Sequence, residues 1–251
     1  MGRTASALAA VTLSLVLAAC SPGLVPAALE TVAPVPPSVR STPPAPVEPS
    51  TPPPPAEPSP EPTFDASVGP ITAELAERMV PTSWREGCPV PLEDLRHVTM
   101  SHVTFEGTVA TGELVVHADV ADGVVEVFAE LFDAQFPIHS MRLIDDFDGD
   151  DDASMAADNT SAFNCRAITG GTGWSEHAYG RAIDLNPVEN PYVRGDHVAP
   201  PEGRAFVDRP DAPGVIRADD VVVRAFAAAG WQWGGDWDRP IDYQHFSISG
   251  R

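Results

Sequence analysis

The stretch W-S-E-H-A-Y-G-R-A-I-D-L-N-P, residues 174–187, places His177 seven residues before Asp184. Between them A-Y-G lets the chain bend, because Gly180 tolerates backbone angles closed to other residues. R-A-I-D-L (181–185) then alternates apolar and polar like a strand. Further on, D-Y-Q-H-F (242–246) adds Asp242 and His245. A catalytic zinc site usually takes three protein ligands from His, Asp and Glu and keeps one position open for water. His177, Asp184 and His245 make such a set. Zinc lowers the pKa of water towards 7 and polarises a carbonyl. A hydrolase also needs a carboxylate to move the proton to the leaving nitrogen. Asp242 lies three residues before His245, and strand positions i and i+3 face opposite ways. Asp242 therefore reaches the same site only if the chain turns or bulges at Tyr243-Gln244.

Working outward, residues 71–79 predict a short helix and 113–118 a strand. A second helix is expected from Asp122 as cap, with Val124, Val127, Phe128, Leu131 and Phe132 on one face. Residues 138–144 read as a strand, 154–166 as the start of a helix at Ser154, and 221–230 as a helix closed by Gly230. Residues 242–248 read as a last strand. The expected fold class is α+β, a small antiparallel sheet with helices packed on it. D-D-F-D-G-D-D-D (145–152) invites a calcium reading, but the EF-hand spacing fails. With Gly149 at the sixth position, the first and last ligands would be Ile144 and Met155. It reads as a solvated acidic loop. His97, His102, His117, His139 and His197 read as ordinary core or surface residues. Of Trp231, Trp233 and Trp237, two are expected to pack and one to wall a cleft.

The ends of the chain bound the rest. Residues 1–20 hold one Arg and a short apolar run closed by L-A-A-C, the shape of a secretory signal. Leu17-Ala18-Ala19-Cys20 resembles the lipobox of bacterial lipoproteins, which implies cleavage before Cys20 and a lipid on its sulfur. Residues 21–63 carry 16 of the 28 prolines, too many to pack a core. The expected organisation is a signal peptide over 1–20, a Pro-rich disordered linker over 21–67 and a catalytic domain over 68–251. From residue 64 on, 32 acidic residues face 13 Arg, which argues against nucleic acid. Lysine is absent from the whole chain. With Cys20 assigned to lipid, Cys88 and Cys165 remain. In an exported protein they most simply form one disulfide, with two free thiols or metal ligation as the alternatives.

S-E-H-A-Y-G-R-A-I-D together with W-G-G-D-W and D-Y-Q-H-F resembles the M15 peptidases. That family contains D-alanyl-D-alanine carboxypeptidases, dipeptidases and phage L-alanyl-D-glutamate endopeptidases. Ser175, His177, Gly180, Ala182, Asp184, Asp242 and His245 fill the family's pattern, and the resemblance covers roughly residues 84–251. It implies one Zn2+ per chain held by His177, Asp184 and His245, with Asp242 as general base. It also implies an Arg before the first metal motif, here Arg142, that binds a substrate carboxylate or the oxyanion. Arg166 is its rival, and Ser154 and Ser175 are candidate substrate contacts. The substrate would be peptidoglycan stem peptides, cut most simply by a D-alanyl-D-alanine carboxypeptidase. An L-alanyl-D-glutamate-type endopeptidase and a non-catalytic zinc-containing wall-binding module are the alternatives. The expected place is the outer face of the cytoplasmic membrane, as a lipid-anchored monomer.

Overall fold

The computed structural model describes residues 62–168 and 171–251. The expected signal peptide, lipid-bearing Cys20 and most of the proline-rich stretch lie outside them. The chain enters the domain at strand β1 (Ala66–Pro70), two residues before the expected boundary at 68. Helix α1 (Ala73–Met79) follows, its first turn capped by the Thr72 hydroxyl, which accepts from the Leu75 amide. Strands β2 (Leu95–Val103) and β3 (Val109–His117) complete an antiparallel sheet in the order β1-β2-β3. Helix α2 (Ala121–Asp133) starts two residues earlier than its sequence suggests: Val120 holds the cap position and Asp122 sits in the first turn. An acid there still favours the positive end of the helix dipole.

The middle of the chain departs most from expectation. Residues 138–144 yield only the two-residue strand β4 (Ser140–Met141), followed by a 3-10 turn over Ile144–Phe147. Helix α3 (Asp151–Ala156) begins before Ser154, because the Asp150 side chain accepts from the Ala153 amide and caps it there. It ends early as well, at the left-handed Asp158 (φ 53°), and β5 (Asn159–Thr160) pairs parallel to β4. Then come β6 (Ala182–Asp184), β7 (Tyr192–Arg194), β8 (His197–Ala199), helix α4 (Val221–Ala228), and strands β9 (Gln232–Trp233), β10 (Ile241–Asp242) and β11 (His245–Ser247). The last strand expected from sequence is thus two strands in two sheets, β10-β7-β8 and β6-β11-β9. The fold is α+β, with several small sheets where one was expected.

Packing explains why β11 is fixed despite its length. Val124, Val127, Phe128 and Leu131 form one face of α2 and are buried. Phe128 meets Phe226 of α4 edge-on at 6.4 Å, and Phe226 stacks on Phe246 of β11 at 4.0 Å. Burying a Phe contributes about 1.5–3 kcal/mol, so this stack is a strong anchor for the strand. A second cluster gathers Met79, Leu95, Val115, Leu143 and Phe163. At its edge Cys88 and Cys165 form a disulfide across 77 residues of chain, with Cα atoms 5.9 Å apart.

Candidate metal centre

Strand alternation turns Phe246 into the core and His245 to the other face. On the neighbouring strand Ile183 and Asp184 do the same. The antiparallel register sets His245 directly opposite Asp184 and Phe246 opposite Ile183. Asp184 is held from its other side too: its amide and carbonyl exchange hydrogen bonds with Ser161 at 2.9 and 3.0 Å. His177 arrives on a 3-10 turn, Glu176–Tyr179, started by Ser175 and closed by the left-handed Gly180. A Cβ on Gly180 would lie 2.6 Å from the His117 amide nitrogen, so any side chain there collides with β3.

The three side chains meet. Asp184 Oδ1 lies 2.9 Å from His245 Nδ1, Asp184 Oδ2 lies 3.1 Å from His177 Nε2, and the two imidazole nitrogens are 3.3 Å apart. All three residues are buried. Tetrahedral ligands about 2.0–2.1 Å from a zinc ion stand roughly 3.3 Å from one another, so the donor set fits one such ion. In the metal-free protein the charges settle among themselves. Burial alone would raise the Asp184 carboxyl, but His177 and His245 hold it well below the usual carboxylate range. Burial likewise opposes the charged His245 imidazole, yet the hydrogen bond and charge of Asp184 raise it to about 9.

Asp242 closes β10 and faces the same cluster. The chain breaks between the sheets at Tyr243-Gln244, the bend that its spacing from His245 demanded. The bend is pinned by the Leu185 amide donating to the Gln244 carbonyl at 3.0 Å and by Trp233 Nε1 donating to the Tyr243 carbonyl at 2.8 Å. The residue is half-buried as a whole, but its Oδ1 is buried and has no hydrogen-bond partner. Burial pushes its carboxyl up to about 7; His245 opposes the rise and Asp184 adds to it. A carboxyl that titrates near neutrality beside a metal-ligand cluster is suited to general acid–base work.

The two candidate arginines part company. Arg142 is exposed, and its guanidinium is held by Asp146 at 2.8 and 2.7 Å over the Phe147 ring. In this structure Arg142 is thus engaged in a surface ion pair. Arg166 pairs with Asp151 at 2.8 Å, and its Nε is buried without a partner. Asp151 is close enough to the cluster to feel the charges of Asp184 and His177; burial pushes its carboxyl up, and Arg166 opposes that. Neither serine offers itself freely. Ser154 is fully buried and accepts from Asn159 Nδ2, while the Ser175 hydroxyl accepts from the His177 amide at 3.4 Å. Trp231 and Trp233 are packed in the core. Trp237 is partly exposed, lies 5.5 Å from the His245 ring, and borders a cavity of about 730 Å3.

Sequence reasoning missed two contributors. Asp151 sits in the acidic run read as solvated, yet within that run Asp145 holds the Ser83 amide, Asp146 pairs with Arg78 and Arg142, and Asp150 caps α3. The acidic residue followed at Ala153 by an amide to cap was the available signal. Gly234, in W-G-G-D-W, is the other: a Cβ there would lie 2.6 Å from the Asp242 carbonyl and 3.3 Å from the His245 Cβ. A paired glycine just before the second ligand segment hinted at this close approach.

Fold and site together define an α+β domain built around a buried His–Asp–His cluster able to hold one metal ion. Residues 169–248 match the model of the D-alanyl-D-alanine carboxypeptidase family, a stretch that contains all three cluster residues and Asp242, and this match supports an M15 family peptidase. No curated protein and no solved structure matches the chain.

Proposed function

We propose that the chain is a zinc-dependent peptidase that removes the terminal residue from D-alanyl-D-alanine ends of peptidoglycan stem peptides. The observation that carries this reading is the 2.9–3.3 Å convergence of His177, Asp184 and His245 with the buried, unpartnered Asp242 Oδ1 beside them. When bound, zinc supplies an acidified water and a polarised carbonyl. The chain's residues do the rest. His177, Asp184 and His245 hold the ion. Arg166, with its unpartnered Nε, binds the substrate's terminal carboxylate by charge-assisted hydrogen bonds, and Asp151 steadies the guanidinium. Asp242 accepts the water's proton and returns it to the leaving amine. Trp237 walls the approach. The net charge is −21, which disfavours nucleic acid. The apolar leader and Cys20 support export and a lipid anchor, and the proline-rich segment supports a spacer that carries a monomeric domain from the outer face of the cytoplasmic membrane to the wall.

The test is to incubate the purified chain with muropeptides and weigh the products. Loss of one alanine from pentapeptide stems is expected, sensitive to a chelator and restored by zinc. Cleavage between L-alanine and D-glutamate would shift the activity to the endopeptidase type. Asp242→Ala should lower turnover by roughly 10²–10⁴-fold and leave one metal per chain. Undiminished turnover in that variant, or no product from the parent, sinks the proposal; intact wall binding without turnover would mark a binding module.

A further inference from the structure

The two imidazoles of the cluster are oriented by different kinds of partner. A neutral imidazole has one N–H and one bare nitrogen, and only the bare nitrogen can ligate a metal. A ring nitrogen that faces a carbonyl oxygen must be the N–H. His177 Nδ1 faces the Ala162 carbonyl at 2.6 Å, leaving Nε2 for the ion. His245 Nε2 faces the main-chain oxygen of Arg251, an acceptor only, at 3.0 Å, leaving Nδ1 for the ion. Ala162 is buried in the body of the domain. Arg251 is on a turn that folds back on β11.

That turn is held by one side chain. The Ser247 hydroxyl donates to the Arg251 carbonyl at 2.9 Å and accepts from the Arg251 amide at 3.1 Å. Ser247 is fully buried, and as residue i+2 from His245 it shares the metal-facing side of the strand. The run H-F-S therefore alternates ligand, core anchor and clasp. We propose that Ser247 and the Arg251 main chain form a clasp that fixes the tautomer and rotamer of His245 and thereby sets the metal affinity of the site. Partners that hold a ligand's second nitrogen typically change metal affinity by about 10–100-fold when removed. Ser247 is a positioning residue: it touches neither ion nor substrate.

The inference rests on the metal reading above, and its test separates the two. Zinc affinity is measured by competition with a chromogenic chelator for the parent chain, Ser247→Ala, Ser247→Thr and a chain ending at Gly250. The parent should bind one zinc. Ser247→Ala and the shortened chain should bind it at least roughly 10-fold more weakly, while Ser247→Thr, which keeps the hydroxyl, stays near the parent. The cobalt-loaded Ser247→Ala protein should show a shifted visible absorption band, and nitrogen-15 spectra of the zinc-loaded parent should report N–H at Nε2 of His245 and none at Nδ1. Metal-free melting temperatures serve as the fold control. Unchanged zinc affinity in a folded Ser247→Ala protein overturns the clasp. So does an affinity loss that only tracks a fall in metal-free melting temperature and is not rescued by threonine. A parent chain that binds no metal overturns the metal centre itself, and the clasp with it.

Discussion

The sheet β1-β2-β3 and the sheet β6-β11-β9 use the same antiparallel pairing and are held together by different means. β2 and β3 pair without interruption from Leu95 opposite His117 to Val103 opposite Val109. Their stability comes from a long ladder and from the apolar side chains beneath it. The site sheet has strands of two and three residues. Ladders that short are marginal alone, so side chains finish the job. Asn186 donates to the Pro137 carbonyl and accepts from the His139 amide, and Asn190 joins the Leu185 carbonyl to the Ile216 amide. Phe246 supplies the apolar anchor. The first region carries stability and the second carries geometry: short strands let the three cluster residues arrive from different directions, and buried polar side chains set their positions.

The sharpest way to break this comparison is to remove one buried apolar side chain from each region. Leu114→Ala in β3 and Phe246→Ala in β11 both empty core volume, with losses of roughly 2–5 and 3–5 kcal/mol respectively in urea unfolding. Their effects on zinc affinity should differ. Phe246→Ala removes the anchor behind His245 and should weaken binding by about 10-fold or more. Leu114→Ala should leave affinity within roughly two-fold, because its strand β3 carries none of the three cluster residues. Equal effects on affinity would mean that the two regions do not divide the labour.

The same division explains what could be read in the sequence. The amphipathic face of α2 and the alternation of β3 were legible because the pattern repeats over many residues. The cluster residues His177, Asp184 and His245 were legible as a spaced motif. The element boundaries between Ser140 and Thr160 were not, since they depend on Asp150 capping α3, on Asn159 bonding the Arg142 main chain and on a left-handed Asp158. Each of these is a single tertiary or local contact with no period to reveal it. The ranking of Arg142 ahead of Arg166 had no spatial basis for a similar reason: how each guanidinium is paired depends on where Asp146 and Asp151 fall in space.

The disulfide tests whether the two regions unfold together. Cys88 belongs to the entry segment and Cys165 is followed at once by Arg166, so the bridge ties the first region's cluster to the site wall. Replacing both cysteines with serine should lower stability by about 2–5 kcal/mol. Far-ultraviolet dichroism and tryptophan fluorescence should still fall in one shared transition, because one core cluster joins Val98, Leu114 and Val116 of the first sheet to Phe246 of the second. Two separated transitions would show that the bridge, not the shared core, makes the domain cooperative.

The smallest expected effect comes from a carboxyl pair in the region of short strands. Glu189 is buried with Oε2 unpartnered, next to Asp158, whose Oδ1 accepts from the Val188 amide at 2.9 Å. Burial pushes the Glu189 carboxyl from 4.5 up to about 8, and the charge and hydrogen bond of Asp158 add to the rise. In the unfolded chain the same group titrates near 4.5. Between those two values the folded protein binds the proton and the unfolded chain does not, so this residue makes stability fall as pH rises from about 4.5 to about 8 and level off above. Glu189→Gln keeps the shape of the protonated form and cannot ionise. Urea unfolding of parent and variant should therefore agree near pH 5, with the variant gaining an advantage that grows towards pH 8. A gap that stays constant with pH would mean that Glu189 is ionised in the folded protein, and that the short-strand region tolerates a buried charge that the long-strand sheet has no counterpart for.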